Sequence, residues 1–439
     1  MKINAFLALP CVLAALAGAA RADFLDGRVV NAQGQGLPGV NLNFSYVGGG
    51  GHPTVFNDGT DANGFFHTTV PAGPYTVDFL PPPPPLSNAL MASVSPVTVL
   101  GTTNIGTITL PAGVGITGRV VNAASVGVAD VNLDIIDASG ANVPLIYDLT
   151  DAAGNIAFSA PAGAVRLRLD TTTVVGQTLA PREIPLDLVS DIDIGTIILP
   201  QGYIITAIVH RPGNLAVNDC DLDCIDEATG LKLYTPSDNT NSSGLVDTIV
   251  PAGTFHFDFC PPAALGLAAG RVGPLTIAAN TFLGTVNLVP GVLLSGNVHA
   301  VTGVPVANAN IKVHDQATGV AIPICDNNTD ANGHYQVIIP TGTYSIDFKA
   351  TAPPWSRSVV SNVVVAGNTT LDATLPFAFQ SFCFGDGTLA TACPCGNVGL
   401  AGRGCQNSAS TGGALLSASG WVLPDSAVLT SSGELASAL

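Results

Sequence analysis

Chemistry in this chain would have to come from sulfur, carboxylate or imidazole, and the spacing of each decides what it could do. Cysteine is the most telling. One of the nine, Cys11, falls in an N-terminal apolar run, which leaves an even number. Cys220 and Cys224 stand on one face of a single extended segment. Four extended residues put their α-carbons about 13 Å apart, beyond disulfide reach, so they cannot bond to each other. Each is a disulfide candidate with Cys260 or Cys325, and otherwise a buried thiol. In the tail, Cys383, Cys393, Cys395 and Cys405 are spaced 10, 2 and 10 in a Gly-rich stretch. Four thiolates could hold zinc; in an oxidising compartment two disulfides are favoured, with Cys393 and Cys395 each taking an outer cysteine.

Carboxylates offer less. Asp219, Asp221 and Asp223 alternate along one segment, with Asp130 and Asp134 at similar places one copy earlier. Calcium takes oxygen ligands, but same-face residues on a strand lie about 6.6 Å apart, too far to share one ion. The row is read as a solvated acidic face, and no metal or cofactor is expected. Only three of 31 acids are Glu, and none follows a His by three residues, so a His-x-x-Glu metal pair is missing. No Gly-x-Ser-x-Gly elbow occurs, and the seven His are scattered. The chain is read as no enzyme, with no catalytic residue.

The elements that carry these residues repeat. Thr60-Asp61-Ala62-Asn63-Gly64 returns as Thr150-Asp151-Ala152-Ala153-Gly154, Thr240-Asn241-Ser242-Ser243-Gly244 and Thr329-Asp330-Ala331-Asn332-Gly333. Seven residues after each Gly stands a Pro-x-Gly, from Pro71, Pro161, Pro251 and Pro340, and each copy closes on proline at 111, 200, 290 and 376. Such a fixed period marks tandem units. Within a unit the apolar residues alternate, as in Val40-Asn41-Leu42-Asn43-Phe44 and Tyr75-Thr76-Val77-Asp78-Phe79, the pattern of half-buried strands. The Asp-x-x-Gly segments suit tight reversals. The inward face of the Pro-x-Gly strand is aromatic or branched, with Asp and other polar residues expected to face out.

The fold class is therefore all-β: four tandem antiparallel β-sandwiches plus a small Cys/Gly-rich C-terminal segment. The repeats are placed at 24–111, 112–200, 201–290 and 291–376, followed by a Cys-rich tail at 377–439 that ends in the start of a further module. Joints between copies are only a few residues long, so a semi-rigid row of beads is expected.

Composition sets the compartment. Lys2, the apolar run from Ile3 to Ala20 and Ala20-Arg21-Ala22 form a secretory signal over residues 1–22. No later segment is apolar for long enough to span a membrane. Net charge is -17, which leaves no basic face for nucleic acid. A secreted or cell-surface protein, monomeric, with an extracellular protein or glycan as partner, is the resulting expectation.

Gly27-Arg28-Val29, Pro38-Gly39-Val40-Asn41-Leu42, Thr-Asp-x-x-Gly and Pro-x-Gly-x-Tyr together resemble the carboxypeptidase regulatory-like domain. That family has a transthyretin-like (prealbumin-like) sandwich and is related to the Cna-B surface modules. The resemblance implies accessory, spacer or binding units without catalysis. Many Cna-B modules carry a Lys–Asn crosslink from the first strand to the last; here Lys232, Lys312 and Lys349 lie on no opening strand, so none is expected. Residues 382–416 resemble a Cys/Gly module of secreted bacterial proteins. An extracellular spacer or adhesin-type structural module follows. The alternatives are a carbohydrate-binding protein, for which Trp355 is the one tempting platform, and an accessory region of an extracellular enzyme.

Overall fold

Alternation with a period of two sends every second side chain of a strand to the same face, and in this chain those faces close over four separate cores. The computed structural model describes residues 22–351, 355–377, 384–388, 391–419 and 427–434. The expected signal at 1–22 lies, up to residue 21, outside the described residues.

The first sandwich is built from β1 (Ala22–Val30), β2 (Asn41–Tyr46), β3 (Phe65–Pro71), β4 (Gly73–Leu80), β5 (Ala92–Val99) and β6 (Thr102–Thr109). One sheet has the order β3-β1-β6 and the other β2-β4-β5. In β2, Leu42 and Phe44 point in while Asn41 and Asn43 point out. Their partners on β4 are Phe79 and Val77, so apolar residues meet across the ladder on the inner face. Leu25, Val29, Tyr75, Val77 and Phe79 are fully buried in this core. Each such side chain contributes about 1.5–3 kcal/mol by leaving water.

All pairings within this sandwich are antiparallel except one. β1 and β6 run parallel, because the chain crosses to the other sheet and back before β6 returns beside β1. A register shift interrupts that pair at Gly106, which has φ +77° and donates its N–H to Asn104 Oδ1 at 2.7 Å.

The same plan recurs three times. Val114–Asn122 lies between Asn155–Ala160 and Ile192–Leu199, facing Gly163–Asp170 between Asn132–Asp137 and Arg182–Leu188. Gly202–Arg211 and Gly253–Cys260 are the central strands of the third sandwich, and Val292–Ala300 and Gly342–Lys349 those of the fourth. In each, the first and last strands pair parallel. The buried residues fall into four clusters, one per stretch: Leu25 to Leu110, Val114 to Leu199, Ile205 to Leu288 and Leu294 to Leu375. The only helical turns among the described residues are three residues long, at Ala263–Leu265 and Pro394–Gly396.

Tertiary contacts group the chain into two compact units, one ending at Gly202 and one beginning at Tyr203. The first unit holds sandwiches one and two. The second holds sandwiches three and four and the tail, whose described part contains a hairpin of Leu415–Ser419 with Val428–Ser432.

Candidate functional site

The repeated Thr-Asp-x-x-Gly is a clip inside each sandwich. Thr60 is buried; its hydroxyl donates to Leu37 O at 2.6 Å and accepts from Val40 N–H at 2.9 Å. Thr150 bonds Val128 O and Val131 N–H at 2.7 and 3.0 Å, Thr240 bonds Val217 O and Cys220 N–H at 2.7 and 2.8 Å, and Thr329 bonds Val306 O and Ala309 N–H at 2.6 and 2.8 Å. Each therefore satisfies two buried backbone groups that would otherwise cost free energy. The next residue turns the chain: Asp61 Oδ1 accepts the N–H groups of Asn63 and Phe65 at 2.8 and 2.9 Å. Asp151, Asn241 and Asp330 repeat that geometry. Gly64 has φ +81°, and a Cβ there would lie 2.2 Å from Val29 O, so no other residue fits.

The Pro-x-Gly-x-Tyr signature has an equally local cause. The Tyr75 hydroxyl donates to Pro71 O at 2.8 Å, and that of Tyr344 to Pro340 O at 2.8 Å. The ring two residues on lies over the Gly: a Cβ on Gly342 would meet the Tyr344 hydroxyl at 2.7 Å, and one on Gly253 the Phe255 ring at 2.4 Å. Where copy two has Val165, Gly163 has open space.

The acidic row differs from its expected form. Asp219 precedes the strand at φ +60° and accepts from Asn239 Nδ2 at 2.8 Å. Of the three, only Asp221 and Asp223 lie on the strand Asp221–Asp226. Lys232 sits against the Asp223 carboxylate and 3.5 Å from Asp221, so the chain supplies its own cation. Burial raises the Asp223 carboxyl to about 6, with Lys232 opposing that rise. Among the described residues no group of three or more His, Cys, Asp or Glu could hold a metal. Two acids expected to face out are in fact buried: Asp258 takes a forked pair of bonds from Arg271 at 2.6 Å each, and Asp347 accepts from Arg357 at 2.7 Å. An arginine on the neighbouring segment makes that burial tolerable.

The cysteines divide. Cys260 and Cys325 form a disulfide across 65 residues, from the third sandwich to the fourth. Cys220 and Cys224 correct their candidacy: both are free thiols, fully buried in the third core. Their strand face points into the sandwich, whereas Cys260 ends a strand at the rim. Burial, reinforced by neighbouring Asp residues, pushes both thiols up to about 12, so neither is a thiolate able to attack or bind metal. In the tail Cys393 bonds Cys405. Cys383 and the side chain of Cys395 lie outside the described residues.

Imidazoles do not converge. His67 Nδ1 is 2.5 Å from Asp26 Oδ1 with its ring stacked on Phe24, and His256 lies against Glu227 in another sandwich. Trp355 is half-buried on the fourth core, its ring centroid 4.9 Å from that of Phe377; one face of the expected platform is therefore spent on packing.

Two clefts lie where sandwiches meet within a unit. One, of about 320 Å³, is lined by Pro81, Pro82, Met91, Ile146, Tyr147 and Phe158. The other, of about 620 Å³, lies between sandwiches three and four, and Leu293 and Ile338 line it together with Asp326, Asn328, Asp330 and Gln336. Sequence reasoning missed the second cleft, since its walls lie far apart in the chain. Asp326 beside Cys325 was the available signal.

No family model matches the chain, and no curated protein matches it. Among solved structures, the chain is similar to the Bacillus anthracis TIE protein (10% identity, 77% of this chain and 68% of that one, TM-score 0.18). A streptococcal ancillary pilin is also similar (11%, 60% and 98%, 0.18), as is the shaft pilin SpaA of Lactobacillus rhamnosus GG (10%, 42% and 100%, 0.19). No helix among the described residues is long and apolar enough to cross a membrane.

Proposed function

We propose that the chain is a non-catalytic structural repeat protein, secreted or displayed at a cell surface, that holds its extracellular partners apart. The observation that carries this reading is where the repeated polar residues are spent. In all four copies the Thr hydroxyl and the Asp or Asn side-chain oxygen bond their own sandwich's backbone. What the sequence repeats is thus a mechanical clip. A binding surface would repeat residues that face solvent. The disulfides Cys260–Cys325 and Cys393–Cys405 support an oxidising, extracellular setting.

On this reading the repeats at 24–111, 112–200, 201–290 and 291–376 are separate beads that each resist force. Pulling the chain from its ends in reducing buffer should give four unfolding events. Each should release about 300 Å, at roughly 3.6 Å per extended residue. A single cooperative rupture of the whole chain would overturn the proposal.

A further inference from the structure

We propose that the cleft between the third and fourth sandwiches binds a neutral saccharide. Its volume, about 620 Å³, falls within the range of small-molecule sites. Around it the fold leaves hydrogen-bonding capacity unspent. The Asp326 carboxylate takes no hydrogen bond from any described residue, although it lines the cleft. Asp330 uses Oδ1 for its turn and keeps Oδ2 free. Asn328 accepts from Asn310 through Oδ1, and Asn368 accepts from Leu293 N–H through Oδ1, so both amide NH₂ groups remain as donors. Gln336 meets His334 through its nitrogen, leaving its oxygen as an acceptor.

Free donors and free acceptors therefore face one space. A hydroxyl both donates and accepts, so a polyol can use both kinds. A metal ion would use only the acceptors, and an anion would meet two carboxylates with no Lys or Arg among the lining residues. Leu293 and Ile338 add apolar contact for the C–H faces of a sugar ring. The walls are also held in place: Cys325, next to Asp326, is bonded to Cys260, three residues before the lining residue Ala263. A site fixed in advance loses less entropy on binding.

The inference is independent of the spacer reading, since four beads that bind nothing would still unfold in four steps. The test is an array of neutral oligosaccharides probed with the full oxidised chain, followed by calorimetry with the strongest neutral hit. Asp326→Ala combined with Gln336→Ala should weaken that hit at least tenfold with an unchanged far-UV spectrum, because both side chains are exposed. Asp326→Asn, which keeps an acceptor and removes the charge, should stay within about threefold. Tyr147→Ala, at the other cleft, should change nothing. An empty array, a hit indifferent to the double variant, or calcium chloride alone binding with a dependence on Asp326 charge would each overturn the proposal.

Discussion

Two joints in this molecule are built on one plan and secured in different ways. In the first unit the joint is held by hydrogen bonds: Asp191 accepts from Asn88 Nδ2 at 2.5 Å and from Gly115 N–H at 2.9 Å, and Tyr147 O–H reaches Pro81 O at 3.4 Å. In the second unit a disulfide takes over. Counting from the shared Pro-x-Gly and Thr-Asp-x-x-Gly motifs, Cys260 stands where the first sandwich has Leu80, and Cys325 where the second has Ile146. The covalent joint borders a cleft of about 620 Å³ that carries Asp326, Asn328 and Gln336, and the hydrogen-bonded one a proline-lined cleft of about 320 Å³. A covalent brace thus frees the neighbouring surface from holding the joint. Where no brace exists, proline and aromatic packing must do so.

Removing the brace should have the largest effect. Cys260→Ser with Cys325→Ser opens a 65-residue loop, which in the chain-entropy model is worth about 4 kcal/mol. Urea unfolding should show that loss in sandwiches three and four and none in one and two. Under force, the oxidised chain should reach a total extension about 230 Å shorter than the reduced chain, at roughly 3.6 Å for each of the 65 bypassed residues. Equal extensions would mean that this bond does not form in solution.

Adding a brace to the first unit should have a smaller effect. Leu80→Cys with Ile146→Cys places thiols at the matching positions of the first unit, both half-buried. Oxidation should close a second brace, adding about 2 kcal/mol, since engineered disulfides give less than the entropy model allows. Thiol titration and a shift of the first unit's urea midpoint, reversed by reductant, check this.

The third expectation concerns pH. Burial raises the folded Asp223 carboxyl to about 6, above the ordinary value near 3.9. The folded state therefore binds this proton more readily than the unfolded chain, and the third sandwich gains stability as pH falls from 7 to 5, by about 1 kcal/mol. Asp223→Asn should remove most of the gain and leave the part due to Asp238, whose carboxyl burial also raises. Melting of the isolated transition at both pH values reads the outcome, and a loss of stability over that window would reverse the assignment.

Much of this was legible in the residues. The period of the Thr-Asp-x-x-Gly and the alternation around Leu42 and Phe44 led to an all-β chain of sandwiches, because motifs and alternation are local. What stayed hidden was non-local. Nothing near Asp258 or Asp347 announces that Arg271 and Arg357 will cover them, so both acids read as exposed. Lys232 lies eleven residues from Asp221 and meets it only after a hairpin forms. The parallel closing strand was equally silent, although Asn104-Ile105-Gly106 and Asp193-Ile194-Gly195 repeat its bulge, with the Asn or Asp oxygen accepting the Gly N–H in both.

The smallest predicted effect separates ring from hydroxyl in the Pro-x-Gly-x-Tyr signature. Each unit contains one copy with the hydroxyl, Tyr75 or Tyr344, and one without, Val165 or Phe255. The ring fills the core and lies over the Gly; the hydroxyl closes the turn on the proline carbonyl. Tyr75→Phe keeps the first and deletes the second, and should cost about 0.5–1 kcal/mol. Phe255→Tyr supplies the missing hydroxyl in the second unit, where the ring already lies over Gly253, and should return a similar amount. Urea midpoints of the two variants should thus move in opposite directions. If Tyr75→Phe were neutral, the turn would be held by the ring and glycine alone, and the tyrosine in the motif would be a matter of filling the core.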